Sequence, residues 1–345
     1  MNLKGFHKGV MFAAASLFAI IAVKAPAQTL QGAGATFPYP IYKEWFAQFQ
    51  KATNIGVNYQ SVGSGKGYTS FKAKTVDFGA SDAPLTDEEE RSLSAPAVHI
   101  ATVGGADVLA YNIPGQGAGL RLTADIVAGI FLGKIVKWND PKIVKENPKA
   151  NLPDLAIQSV HRTDGSGTTY IFTSYLKKVS AEWAAGPGAG KSVNWPTGLG
   201  GNGNQGVSGV IQRTPGSIGY IELAYAMKQN IPYASLKNRS GAFITASVDT
   251  VTNAINGATN ELKKNIKTPI VDAPGKNSYS ISSLTFILIY NAPHANNGNI
   301  TKLWDWALEK NQQEFAKTLG YAPLPKSLVA LNKTILKSIP GTSVH

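Results

Sequence analysis

The spacing of apolar and polar positions changes repeatedly along the chain. In "YPIYKEWFAQFQK" (39–51), Ile41, Trp45 and Phe49 recur every four residues with Tyr42 and Phe46 beside them. That is the stripe of an amphipathic helix, and Pro38 and Pro40 suit its first turn. "VNYQSV" (57–62) alternates instead, as a half-buried strand does, and stops at the turn "GSGKG". "SFKAKTV" (70–76) predicts a short helix, and "DFGASDAP" (77–84) a strand end with a turn. "TADIVAGIFLG" (123–133) predicts a helix ended by Gly133, "LAIQSVHR" (155–162) a strand, and "TTYIFTSYLKKV" (168–179) a helix. Late in the chain, "SLTFILIY" (283–290) is a buried strand and "ITKLWDWALEK" (300–310) a helix. Short strands each handed on to a helix predict an α/β architecture with largely parallel sheets. The glycine-rich segment 184–209 predicts an extended surface loop.

The N-terminus breaks this rhythm. Lys4 and Lys8 precede an apolar run from Val10 to Val23, then Ala25-Pro26-Ala27. That order marks a signal peptide, residues 1–27, cleaved after Ala27, so the mature chain is expected in the periplasm. Fourteen apolar residues are short for a membrane span. The chain has no cysteine, which excludes disulfides, thiol nucleophiles and thiolate metal sites. Its net charge of +12 includes Lys4, Lys8 and Lys24, and the remainder still favours anionic partners. The basic residues are scattered without interleaved aromatics, so no nucleic-acid partner is expected.

Candidate chemistry gathers in four polar turns where strands hand over to helices: "GAGATFP" (32–38), "VGSGKG" (62–67), "GASDAP" (79–84) and "RTDGSGTT" (162–169). In an open α/β sheet such junctions line one edge, where ligands bind. Helix starts offer free N–H groups and partial positive charge, glycines admit an oxyanion closely, and small hydroxyls add donors. Arg162 brings a full charge with bidentate geometry, and Asp164, two residues on, is placed to orient it. Asp82 is the odd member, since a carboxylate repels an anion unless the anion carries a proton. Phosphate near neutral pH does and sulfate does not, so Asp82 would discriminate between them. Singly, Thr36 and Ser64 suit helix caps, Asp82 a turn and 164–168 a capping turn; together the four turns exceed what capping requires. "AGPGAGKS" (185–192) matches a relaxed phosphate-loop pattern, but it lacks the preceding strand, and Pro196 discourages a following helix.

These turns, with "VDFGASDAPLT", "IFLGKIVKWND", "RTDGSGTTYIFTSYL", "QRTPGSIGYIELAYA" and "TFILIY", closely resemble the periplasmic phosphate-binding proteins of phosphate ABC importers. The resemblance runs through nearly the whole mature chain. It implies a two-lobed, type II periplasmic-binding-protein fold with crossover strands and a ligand cleft between the lobes. Lobe I would combine 28–106 with 279–345, and lobe II would hold 107–278. Phosphate ligands would be Thr36, Phe37, Ser64, Asp82, Arg162, Ser166, Gly167 and Thr168, with Asp164 bonded to Arg162. Lys66 departs from the small residue expected in its turn. The expected partners are inorganic phosphate and the membrane permease subunits, with no cofactor or metal and a monomeric chain. Two other classes stay open on the residues: a binder of sulfate or molybdate, which Asp82 argues against, and a secreted phosphohydrolase. For the latter, His99, His161 and His294 form no ligand-spaced pair, and Ser166 has no neighbouring base.

Overall fold

The computed structural model describes residues 28–341, so the expected signal segment 1–27 lies outside the described residues. The strands are β1 (Thr29–Gly34), β2 (Gly56–Ser61), β3 (Phe78–Ser81), β4 (Ala97–Asn112), β5 (Arg121–Leu122), β6 (Gln158–Arg162), β7 (Leu199–Gly201), β8 (Ser217–Glu222), β9 (Ser235–Lys237), β10 (Phe243–Ile244) and β11 (Ser282–Tyr290). Eight of them form one sheet in the order β2-β1-β3-β11-β4-β8-β6-β7, and β10-β9-β5 form a small second sheet.

The parallel pairing expected from the strand–helix alternation holds at both ends of the large sheet. β1 lies between β2 and β3, and β6 between β7 and β8, all parallel. The centre differs: β3–β11, β11–β4 and β4–β8 are antiparallel. The sheet is therefore mixed. β4 joins its two ends, pairing with β11 from Ala97 to Ala106 and with β8 from Asp107 to Asn112. It is buried from His99 to Tyr111, which explains its near-continuous apolar run.

Helices cover both faces. Tyr39–Thr53 buries Ile41, Tyr42, Trp45, Phe46 and Phe49, the stripe read from spacing. Tyr42, Phe46, Tyr59, Phe78 and Trp304 form one aromatic cluster behind β1. At the other end of the sheet, Phe131, Phe172, Trp195 and Tyr220 do the same. The helix Ala124–Phe131 ends before Gly133 (φ 72°), as expected.

Two sequence expectations fail locally. The helix assigned to 70–76 is Ser64–Lys72, so it begins inside the glycine turn rather than after it. The segment 184–209 is not one loop. It contains the end of the helix Ala181–Ala185, the edge strand β7 and the start of the helix Gly203–Arg213, which buries Val207 and Ile211. Its glycines mark close packing: a methyl on Gly201 would lie 2.6 Å from the Val207 backbone nitrogen. The phosphate-loop match at 185–192 follows a helix and is followed by bends, so it has neither the strand nor the helix such a loop needs.

Candidate functional site

β1, β2, β3, β6, β7 and β8 all deliver their C-terminal turns to one place, where the two ends of the sheet meet. Thr36, Phe37, Ser64, Asp82, Arg162, Ser166 and Thr168 are each at most 4% exposed, and Gly167 is buried with them.

Of the suspected caps, only the 164–168 turn supplies one: Ser166 Oγ accepts the Thr169 N–H at 3.0 Å. Thr36 precedes a helix capped by Pro38 without a side-chain bond, and Ser64 is already the first residue of its helix, after Gly63. Both hydroxyls are engaged across the junction instead. Ser64 Oγ accepts the Asp82 N–H at 3.2 Å and the Gly167 N–H at 3.1 Å. Thr36 Oγ1 accepts two N–H groups from Asn204, the backbone at 3.2 Å and Nδ2 at 2.8 Å. The Phe37 carbonyl accepts the Tyr321 hydroxyl at 2.6 Å, and the two rings meet edge to face.

Arg162 ends β6, and its backbone N–H donates to the Tyr220 hydroxyl at 3.0 Å. Asp164 takes the guanidinium with both oxygens, from Nε at 2.7 Å and Nη2 at 2.5 Å. Nη1 donates to Thr168 Oγ1 at 3.1 Å. Asp164 also accepts the Gly203 N–H at 3.0 Å. Burial alone would raise the Asp164 pKa, but Arg162 and these N–H groups hold it below the usual carboxylate value. The pair therefore stays ionised and fixes the plane of the guanidinium. His161, on the alternate face of β6, stacks on Trp195, and Lys66 is exposed on its turn.

Asp82 sits opposite. Its Oδ1 accepts the Thr285 hydroxyl at 2.7 Å, and Oδ2 lies 3.5 Å from Ser64 Oγ. Burial pushes its pKa from 3.8 up to about 7, against the lowering influence of Thr285, Arg162 and Ser64. Two further buried carboxyls lie on the adjoining strands, Asp107 and Glu222, directly opposite in the β4–β8 register. Burial raises both well above their usual values, repulsion from Asp82 adds to each, and Glu222 adds to the rise at Asp107. Glu222 Oε2 accepts the Ala224 N–H at 2.7 Å, whereas neither Asp107 oxygen has a hydrogen-bond partner.

Sequence reasoning missed Asn204, because it lay in the segment read as loop. Fully buried, it donates from Nδ2 to Thr36 Oγ1 at 2.8 Å and to Thr168 Oγ1 at 3.1 Å, while Oδ1 accepts the Glu222 N–H at 2.9 Å. The available signal was Val207 and Ile211, one helical turn apart, with Asn204 one position short of a turn before Val207.

The two ends of the sheet touch through bare backbone. Gly65 donates its N–H to the Gly165 carbonyl at 2.8 Å, and a methyl on Gly65 would lie 3.0 Å from the Gly165 Cα. A methyl on Gly167 would lie 2.5 Å from Asp82 Oδ2. Outside this contact, the short helix Asp87–Arg91 reaches across: Glu89 pairs with Lys191, and Glu90 with Lys267 at 2.6 Å. Lys191 also lies over the Tyr68 ring, while its carbonyl takes the Ser166 N–H at 2.8 Å.

Three comparisons place this chain among known proteins. A family profile described as the PBP superfamily domain matches residues 22–311. The phosphate-binding protein PstS of Pasteurella multocida is 44% identical over 96% of this chain and 97% of its own length. The PstS of Xylella fastidiosa is 42% identical over 87% and 82%. Among solved structures, a putative phosphate ABC transporter substrate-binding protein from Clostridium perfringens, with bound phosphate, superposes with a TM-score of 0.63. It is 17% identical and covers 86% of this chain and 100% of its own, a likeness of fold. At these identities and coverages, the chain belongs to the PstS family of phosphate-binding proteins.

Proposed function

We propose that this protein binds inorganic phosphate between two lobes, 28–106 with 279–345 and 107–278, and hands it to the membrane permease subunits of an ABC importer. It would do so in the periplasm, as a monomer, after loss of residues 1–27. The ligands would be the N–H groups and hydroxyls of Thr36, Phe37, Ser64, Ser166, Gly167 and Thr168, the Arg162 guanidinium held by Asp164, and Asp82 as the one acceptor. Two relatives at more than 40% identity carry phosphate binding in their names.

The observation that carries this reading is the gathering of donors from both ends of the sheet beside the buried carboxyl of Asp82. A tetrahedral anion bearing one proton satisfies that set: donors meet its bare oxygens, and one proton lies between Asp82 and the fourth. Sulfate brings no proton, so an ionised Asp82 would face a bare oxygen and repel it. Hydrolysis finds less support. The Ser166 hydroxyl is engaged as a cap, and the described histidines are committed elsewhere: His99 Nε2, for instance, accepts the Leu85 N–H at 3.1 Å.

Calorimetric titration of the mature chain tests the reading. One phosphate per chain with no heat from sulfate at pH 8 is the expected result. Equal affinity for the two anions would remove the role given to Asp82, and no binding of either would remove the site.

A further inference from the structure

A hydroxyl has one proton to donate and two lone pairs with which to accept. Thr36 Oγ1 accepts the Asn204 backbone N–H and one Nδ2 hydrogen, which uses both lone pairs. Thr168 Oγ1 accepts Arg162 Nη1 and the other Nδ2 hydrogen, which uses both of its own. Neither hydroxyl donates to any group among the described residues, so each has only its proton left to offer. Asn204 supplies three of these four bonds. Its amide orientation is fixed in turn, because Oδ1 accepts the Glu222 N–H at 2.9 Å, and reversing the amide would point two donors at each other. Thr36 follows β1 and Thr168 follows β6, so this single amide also ties together the two ends of the sheet.

We propose that Asn204 is a positioning residue, whose side-chain amide turns the Thr36 and Thr168 hydroxyls into obligate donors toward the bound anion. The inference rests on the phosphate reading of the site and adds to it how the hydroxyl protons are aimed. Without the amide, each hydroxyl regains a free lone pair and can turn its proton away from the ligand. The site would then hold phosphate less tightly although no atom that touches the anion has been removed.

A mutant cycle read by phosphate titration tests this, with thermal melting as a check on folding. Asn204→Ala is expected to weaken phosphate binding roughly 10- to 30-fold, and the Thr36→Val/Thr168→Val pair roughly 100-fold. Adding Asn204→Ala to that pair should cost less than about threefold more, because the amide acts through the two hydroxyls. Losses that multiply in full, or an Asn204→Ala protein with parental affinity, would overturn the inference. Asn204→Asp keeps the shape and separates aiming from folding. Its carboxylate would draw both hydroxyl protons toward itself, and protonation would restore one donor. The ratio of its dissociation constant to the parent's should therefore fall as the pH drops from about 8 to about 5.5; a flat ratio would count against the proposal. A parent chain that binds no phosphate would overturn the site reading as well, whereas a parent that binds with all Asn204 variants unchanged overturns this inference alone.

Discussion

The end of the sheet built on β1, β2 and β3 and the end built on β6, β7 and β8 follow one plan. In each, the first strand lies between the second and third, and all three deliver their turns to the same edge. In each, the helix after the second strand grips the turn that follows the other end's first strand. Ser64 accepts the Gly167 N–H, and Asn204 donates to Thr36. In each, the third strand runs into a buried carboxyl, Asp82 or Glu222. There the plans part. Glu222 is spent on its own helix, taking the Ala224 N–H, whereas Asp82 caps nothing and faces Ser64 and Thr285. Arg162 has no counterpart after β1. One end of the sheet thus holds the buried Asp82 carboxyl and the other the Arg162 cation, so on the proposed reading neither would be a complete anion site alone.

Removing the cation breaks the comparison most severely. Arg162→Ala should weaken phosphate binding by about 3–5 kcal/mol, because a buried anion and Asp164 both lose their partner. Lys66→Ala, on the exposed turn of the other end, should leave the dissociation constant unchanged.

Altering the acceptor sharpens it. Burial raises Asp82 to about 7, so the free site carries a carboxylate above that pH and a carboxylic acid below it. The acid can donate to a bare oxygen, so sulfate should compete better with phosphate as the pH falls through about 7. Asp82→Asn should show that relaxed selectivity at every pH, by roughly tenfold in the affinity ratio. Competition titrations at pH 6 and pH 8 would check both.

The three raised carboxyls also set the sign of the stability profile. Asp82, Asp107 and Glu222 are raised chiefly by burial, so the folded chain holds protons that the unfolded chain has released. Their contribution is full below about pH 4 and is lost as the pH rises through their folded values. Asp164, held low despite its burial, acts oppositely, and its contribution fades only in strong acid. The phosphate-free protein should therefore melt at a lower temperature at pH 8 than at pH 5, by a few degrees. Asp107→Asn should flatten that slope, because neither Asp107 oxygen has a partner to lose.

The smallest effect belongs to the outer bridges. Reversing Lys191 and Glu89 singly should weaken phosphate binding by no more than about fivefold at low salt, and the double exchange should recover part of it. The difference should vanish in high salt.

Much of this was legible in the sequence because turn chemistry is local. Glycines with hydroxyls at strand ends are readable without knowing what packs where, and Thr36, Ser64, Asp82 and the 162–168 turn do come together. The antiparallel centre was not legible, because β4 and β11 pair across a separation of about half the chain and each reads merely as an apolar run. β7 is three residues long with two glycines, too short and too flexible to carry a period. Asn204 was hidden for the same reason, since glycines at 200, 201, 203 and 206 suppress helix propensity just where the helix begins.

Where Gly65 meets Gly165, main chain rests on main chain with no side chain between them. Such a lip has no rotamer to flip, so the fast side-chain motion that opens many gates does not act at this contact. On the two-lobed reading proposed above, parting the two glycines would take a swing of whole lobes, a slow movement that docking to the permease would have to drive.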